Sequence, residues 1–106
     1  MSGGNDIIHQ AVRLRIMASL NALTGNDAVE FTKLKSLVDA TDGNLGSHLD
    51  ALERAGYVAI EKRFAGKKPQ TRIKATPAGR RAFAEHVAYL REILDGGVPA
   101  AQGSDA

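Results

Sequence analysis

Residues 42–64 have the sequence DGNLGSHLDALERAGYVAIEKRF, in which the spacing of the apolar residues changes from helical to extended. Three leucines recur every three or four residues, as on the buried face of a helix: Leu45, Leu49 and Leu52. Gly56 ends this pattern, and apolar and polar residues alternate after it, as in a strand with one buried side. The pattern predicts a helix from about Asp42 or Asn44 to Ala55, capped by Thr41 and followed by a strand.

The sequence after Gly56 predicts a β-hairpin. In its first strand, residues 57–64, three apolar side chains share one face and are expected to point inward: Val58, Ile60 and Phe64. Residues 65–70 have the composition of a loop and include two lysines. Residues 71–75 alternate again around Ile73, so the hairpin has a polar, basic tip.

The sequence before Thr41 predicts two further helices. Asp6 can cap a first helix that begins at Ile7 and is apolar over a broad face. An extended piece follows at residues 28–31. Thr32 can then cap a short second helix, and residues 39–43 are polar and turn-like.

A last helix is predicted to begin at Thr76-Pro77, because threonine caps helices and proline is tolerated in the first turn. Its apolar side chains form one stripe: Phe83, Val87, Leu90 and Leu94. The predicted order is helix, short strand, helix, turn, helix, two-stranded hairpin, helix. Two helices joined by a tight turn and followed by a hairpin make a winged helix-turn-helix, a mainly α fold of the α+β class.

The 106 residues are enough for one domain with a single core. We expect residues 7–95 to form it, with disordered segments at 1–6 and 96–106.

The chain has no cysteine, and its three histidines lack the spacing of a metal motif. No apolar run approaches the roughly 20 residues of a membrane span, and no signal peptide is visible. We therefore expect a cytoplasmic protein without membrane contact, metal or other cofactor.

The charge of the chain is unevenly distributed. Residues 62–81 contain eight basic residues and no acidic one, whereas the rest of the chain contains six basic and twelve acidic residues. A local positive block on an otherwise acidic protein favours a polyanionic partner. A solvated basic hairpin without a partner is the alternative, and the position of the block beside the predicted helix-turn-helix favours double-stranded DNA.

Two groups of residues are candidates for contact with DNA. The first lies on the side of the third helix away from the leucines, with His48 nearer the buried edge: Gly43, Asn44, Ser47, His48, Ala51 and Arg54. Small and polar side chains suit a helix in the major groove, although they also suit a solvated surface helix. The second group surrounds the hairpin tip and can contact the phosphate backbone or the minor groove: Arg63, Lys67, Lys68 and Arg72.

Two glycines in the third helix are unfavourable for a helix interior. Gly43 and Gly46 each destabilise the helix by about 1 kcal/mol relative to alanine if they lie in its interior. Close approach to DNA, or to the preceding helix, would explain their presence.

Residues 42–58, the basic segment EKRFAGKKP at 61–69 and TPAGR at 76–80 together resemble the small winged-helix transcriptional regulators related to the MarR and ArsR families. The resemblance covers roughly residues 7–94. It implies a homodimer on a pseudo-palindromic operator, with the first and last helices at the dimer surface: Ile7, Ile8, Ala11, Val12, Phe83, Val87, Leu90 and Leu94. The chain lacks the cysteines of ArsR-type metal sensors and is shorter than typical MarR proteins, so the resemblance leaves a small-molecule effector unknown.

Three other functions are alternatives to DNA binding. A winged helix can also be a protein-interaction module, which would expose a contiguous apolar patch. Catalysis is disfavoured because there is no phosphate-binding loop, and the neighbouring Ser47 and His48 point in different directions along a helix. RNA binding stays open, although the few aromatic residues offer little stacking surface for single strands.

Overall fold

The computed structural model describes residues 4–23 and 27–96. Within them the elements follow in this order: α1 (Ala11–Asn21), β1 (Val29–Glu30), α2 (Phe31–Val38), α3 (Asp42–Arg54), β2 (Val58–Ala65), β3 (Lys68–Ala75) and α4 (Pro77–Leu94). This order confirms the predicted winged helix-turn-helix. In this part of the chain no helix is both long and apolar enough to cross a bilayer. The predicted disordered tail from residue 97 onward lies outside the described residues.

The three strands form one antiparallel sheet in the order β1-β3-β2. The hairpin of β2 and β3, here called the wing, is longer than predicted. Its pairing runs from Val58 opposite Ala75 to Ala65 opposite Lys68, so that only Gly66 and Lys67 form the turn. Residues 68–70 have the composition of a loop, but pairing with the opposite strand makes them part of β3.

The core lies between α1, α2, α3 and the base of the sheet. Its members are apolar side chains from these elements, from the turn before α1 and from α4: Ile8, Ile16, Met17, Leu20, Val29, Leu34, Val38, Leu45, Leu49, Leu52, Val58, Ile73, Ala75 and Ala82. The three leucines of α3 are all buried, which confirms the helical spacing found in the sequence. Burial of this stripe leaves the opposite side of α3 exposed to solvent.

Two predicted helix starts are wrong. Residues 6–8 form a turn rather than the start of α1, which begins only at Ala11. The side-chain oxygen of Asn5, not Asp6, accepts hydrogen bonds from the backbone N–H groups of Ile7 and Ile8, at 2.9 and 3.0 Å. The second helix begins at Phe31, before Thr32, and the side chain of its N-cap residue, Glu30, makes no capping hydrogen bond.

The expected disorder of residues 1–6 does not hold for Asn5. Its backbone N–H donates to Nδ1 of His86, and its side-chain amide donates to the hydroxyl of Tyr57. These contacts join the N-terminal segment to α4 and to the residue before β2. Residues 1–3 lie outside the described residues.

The start of α4 confirms the prediction made from Thr76-Pro77. The Thr76 hydroxyl accepts from the backbone N–H of Gly79 at 2.9 Å and donates to the carbonyl of Gly56 at 2.6 Å. A Cβ atom at Gly79 would lie 2.0 Å from the carbonyl oxygen of Tyr57, so only glycine fits there. Gly56 itself has φ 84°, a left-handed conformation that glycine adopts without strain. The first turn of α4 therefore lies directly on the backbone of residues 56–57.

Candidate nucleic-acid interface

The exposed side of α3 begins at a capped helix terminus. The Thr41 hydroxyl accepts from the backbone N–H of Asn44 at 3.1 Å, which confirms the predicted cap. An ion pair of 2.7 Å between Lys35 and Asp42 links α2 to the same terminus. Asp42 is largely exposed and Lys35 is partly exposed, so the pair adds little stability and mainly joins the two helices.

Most of the predicted contact residues of α3 are accessible. Gly43, Asn44, Ser47 and Arg54 are exposed, and Ala51 is half-buried. They occupy the side of the helix away from the buried leucines, so a groove of DNA can approach them without displacing any part of the core.

Gly43 and Gly46 have open space where a side chain would begin. A Cβ atom built at either position meets no described atom outside the adjoining helix backbone within 4 Å. The packing of α3 on the preceding helix therefore does not require these glycines. The unfavourable helix propensity of Gly46, about 1 kcal/mol in a helix interior, therefore has no structural compensation within the described chain. Gly43 is the second residue of α3, so this interior penalty does not apply to it in full.

His48 lies apart from this exposed group. It is half-buried, and its Nδ1 accepts a hydrogen bond from Nε of Arg13 in α1 at 2.9 Å. Burial, and secondarily the charge of Arg13, lower the pKa of His48 below its usual value. The ring is therefore neutral at pH 7 and joins α3 to α1, so it offers no cation to a phosphate. Sequence reasoning missed Arg13, because no local pattern relates it to a residue 35 positions away.

The register of the wing divides its side chains between two faces. The groove face is the side turned toward α3: Val58, Ile60, Lys62, Phe64, Pro69, Thr71, Ile73 and Ala75. The outer face is the opposite side: Ala59, Glu61, Arg63, Ala65, Lys68, Gln70, Arg72 and Lys74. Three of the four predicted wing contacts, Arg63, Lys68 and Arg72, therefore lie on the outer face, and Lys67 lies in the turn.

These wing cations differ in accessibility. Arg63, Lys67 and Lys68 are exposed, whereas Arg72 is half-buried opposite Glu61. Across residues 4–23 and 27–96, none of the four forms an ion pair with a carboxylate. The tip of the wing therefore carries positive charge that the surrounding chain does not neutralise by direct contact.

Lys62 is a residue that the sequence analysis did not single out. It lies on the groove face and, with Ile60 and Thr71, lines a groove whose other side includes Gly46 and Asp50 of α3. In the sequence, the alternation of Val58, Ile60 and Lys62 is the signal that places this lysine on the groove face. The same alternation predicts the strand, but the basic composition of residues 62–81 does not distinguish this lysine from the neighbouring cations.

Phe64 was predicted to point inward, and this is wrong. The side chain is on the same face as Val58 and Ile60, as the alternation requires, but it is 69% exposed. The helices cover this face only near the base of the wing, where Val58 is buried and Ile60 half-buried. Phe64 lies beyond that cover, opposite the exposed Pro69.

The predicted dimer surface is only partly available. Ile8 is fully buried within the chain, so its inclusion was wrong: it has no exposed area for a partner. The apolar side chains Phe83, Val87 and Leu90 are half-buried, and Leu94 is 81% exposed. The buried residues of α4 all lie between positions 79 and 86, so the C-terminal half of this helix extends past the core.

Comparison with known proteins agrees with this geometry. A family model described as the winged helix DNA-binding domain matches residues 12–94, which include α3, the wing and α4. An uncharacterized protein from Methanocaldococcus jannaschii is 40% identical over 88 residues, covering 83% of this chain and 89% of the relative.

Solved structures show the same fold. A transcriptional regulator homologue from Pyrococcus horikoshii has a TM-score of 0.77 and 32% identity, covering 85% of this chain and 86% of that one. NadR in complex with 4-hydroxyphenylacetate has a TM-score of 0.65 at 24% identity, covering 84% of this chain and 63% of its own. A MarR family regulator from Silicibacter pomeroyi has a TM-score of 0.60 at 24% identity, over 88% and 62% of the two chains. The match over residues 12–94 shows that the chain belongs to the winged helix DNA-binding domain family.

Proposed function

We propose that this protein is a sequence-specific regulator of transcription that binds double-stranded DNA as a homodimer. In this proposal the N-terminal half of α3 enters the major groove and the wing contacts the phosphate backbone and the adjacent minor groove. Each protomer reads one half of a pseudo-palindromic operator, with half-sites about 34 Å apart.

The observation that carries the proposal is the pairing of an uncovered polar helix face with a basic wing. Asn44 and Ser47 are exposed on α3, and Gly43 and Gly46 leave open space around its backbone. Asparagine can bond adenine in the major groove, and serine can bond several bases. The exposed cations of the wing supply the sequence-independent attraction to phosphates that most DNA-binding proteins require.

The second half of α4 supports the dimer. After His86 no residue of this helix is buried, although four of the eight residues from 87 to 94 are large and apolar: Val87, Leu90, Ile93 and Leu94. Ile93 is 42% exposed, and Leu94 is almost entirely so. An apolar stripe that extends past the core of its own chain is typical of an interface between copies.

The regulatory role is supported by similarity to the transcriptional regulator homologue from Pyrococcus horikoshii, which exceeds 30% identity over most of both chains. The rival role, a protein-interaction module, would favour one broad apolar patch. Among the described residues the exposed large apolar side chains are instead divided between α2, the wing tip and the end of α4. This distribution favours the DNA-binding reading.

The test is selection from a random duplex library at two salt concentrations, followed by sequencing of the retained duplexes. We expect enrichment of a pseudo-palindrome and an affinity that falls steeply as salt rises, because bound lysines and arginines release counterions from DNA. Absence of both enrichment and salt-sensitive binding would contradict the proposal.

A variant separates dimer formation from DNA contact. Leu94→Glu places a charge on an exposed position of α4, so the domain should still fold while the dimer dissociates in sedimentation experiments. Its affinity for the selected duplex should fall by on the order of a hundredfold, because the second half-site no longer binds within the same complex. Arg81→Gln is the control, since it changes the net charge equally on the opposite side of α4 and should leave the dimer intact.

A further inference from the structure

Within the part of the chain that the structure describes, Phe64 has no structural role that accounts for an aromatic side chain. It is 69% exposed, and its cross-strand partner Pro69 is exposed as well. Both lie beyond the part of the wing that packs on the core. Two exposed apolar residues near the end of a hairpin do not stabilise the fold by burial, and they favour unwanted association of strands.

The surroundings of this apolar pair indicate what covers it. Residues 63–68 include Arg63, Lys67 and Lys68 and no acidic residue. A protein partner that buried Phe64 would also have to desolvate these neighbouring cations, which is unfavourable unless carboxylates face them. The minor groove of DNA fits both features, because it has apolar sugar walls and base edges between two rows of phosphates.

The position of Phe64 also fits this partner. It lies on the groove face, the side of the wing turned toward α3, and not on the outer face. Ile60 is the last groove-face residue of β2 that is in partial contact with the core. Phe64 lies four residues farther along the strand, about 13 Å from Ile60. The minor groove next to an occupied major groove lies half a helical repeat away, about 17 Å. Because Ile60 already lies at the side of α3, next to Leu49, a further ~13 Å brings the end of the wing to about the distance of that groove.

We propose that Phe64, supported by Pro69, is an apolar wedge that enters the minor groove next to the major groove occupied by α3. The side chain loosens the stacking of the base pairs that it contacts and bends the duplex, while the neighbouring cations bind the flanking phosphates. This inference rests on the proposed function and adds a shape-dependent element to it. Specificity then depends on how easily the DNA bends at that step as well as on the bases that α3 contacts.

The experiment uses the duplex selected from the random library. To detect unstacking, 2-aminopurine is placed in turn at each base step where the minor groove lies beside a half-site. To detect bending, a fluorophore pair is attached to the two ends of the duplex. We expect wild-type protein to increase 2-aminopurine fluorescence at one step per half-site and to shorten the end-to-end distance. Phe64→Thr removes the aromatic ring and replaces it with another residue that favours β-strands. It should abolish both signals and weaken binding about tenfold, the change expected when one aromatic side chain is no longer buried.

Arg63→Thr is the matched control, because it makes the same replacement at the neighbouring residue on the outer face. It should lower the slope of log affinity against log salt by about one and leave the fluorescence signals intact. Phe64→Thr should leave that slope unchanged. Both variants should unfold at the wild-type temperature, since neither side chain belongs to the core.

The outcomes separate the two proposals. Wild-type protein that selects no duplex would overturn the proposed function and the wedge together. Wild-type protein that binds its duplex while Phe64→Thr gives the same fluorescence and affinity would overturn the wedge alone. A change in sedimentation of Phe64→Thr in the absence of DNA would also overturn it, because the wing tip would then be a contact between copies of the chain.

Discussion

The backbone N–H of Asn5 donates a hydrogen bond of 2.9 Å to Nδ1 of His86, between residues 81 positions apart in the sequence. His86 is only 1% exposed and is the one buried polar side chain among the described residues. Because Nδ1 accepts this bond, the neutral ring carries its proton on Nε2, which lies 3.4 Å from Nδ1 of His9. The ring also stacks on Tyr89 at 6.0 Å. His86 therefore attaches the N-terminal segment to α4 only while it is neutral.

This arrangement predicts that the protein loses stability below about pH 6.5. Burial, and secondarily the proximity of His9, lower the pKa of His86 below its usual value. The unfolded chain then takes up a proton near the ordinary histidine pKa, about 6.5, whereas the folded chain does not. The free energy of unfolding must therefore fall as the pH decreases through that range. The lowered pKa of His48 acts in the same direction.

Urea unfolding at pH 7.5, 6.5 and 5.5 measures this effect. His86→Asn removes the titration and places a side-chain oxygen where it can still accept from Asn5. Its free energy of unfolding should fall less steeply with decreasing pH than that of the wild type, with His48 accounting for part of the slope that remains. Parallel pH profiles for the two proteins would show that His86 does not contribute.

Gly79→Ala should destabilise the fold by about 2 kcal/mol, within the range observed for overpacked sites. The added Cβ would lie 2.0 Å from the carbonyl oxygen of Tyr57, so the first turn of α4 must move away from the backbone. The hydrogen bond from the Thr76 hydroxyl to Gly56 would be weakened at the same time. Thermal and urea unfolding give the measurement.

Gly43→Ala is the matched control for stability, because its Cβ meets no atom within 4 Å. It should leave stability unchanged or increase it. Equal stability of the two alanine variants would mean that α4 does not lie as close to residues 56–57 as the structure indicates.

Gly46→Ala should have opposite effects on stability and on DNA binding. Its Cβ also meets no other element among residues 4–23 and 27–96, so the better helix propensity of alanine should stabilise the protein by about 1 kcal/mol. The added methyl group would nevertheless stand between α3 and the base edges and should weaken binding to the selected duplex. Urea unfolding and fluorescence anisotropy with labelled duplex measure the two effects. Undiminished affinity in a stabilised variant would show that close approach at Gly46 is not needed.

Lys62→Ala should weaken DNA binding more than Lys74→Ala. Lys62 is exposed on the groove face beside Gly46 and Asp50, whereas Lys74 is exposed on the outer face near the base of the wing. The two substitutions change the net charge equally, so position alone distinguishes them. Loss of one phosphate contact should reduce the salt slope by about 0.9 for Lys62→Ala and leave it unaltered for Lys74→Ala. Identical titrations of the two variants would argue against a role for the groove between α3 and the wing.

The sequence by itself determined the elements that depend on neighbouring residues. The caps at Thr41 and Thr76 are local hydrogen bonds to backbone groups three residues later, so their sequence signals were sufficient. The leucine spacing of α3 likewise identified its buried side, because the periodicity of a helix is a local property. Alternation after Gly56 assigned Phe64 to the correct face of its strand.

Only the tertiary structure decided which parts of those faces are covered. The side chain of Phe64 is exposed because the helices end short of it, and Lys68 to Gln70 are strand because residues on β2 pair with them. His48 bonds to Arg13, and His86 bonds to Asn5. Each partner is remote in sequence, so no periodic pattern could have identified it. The physical reason is the same in each case. Burial and long-range hydrogen bonds depend on where separate elements meet, whereas caps and periodicity depend only on the residues of one element.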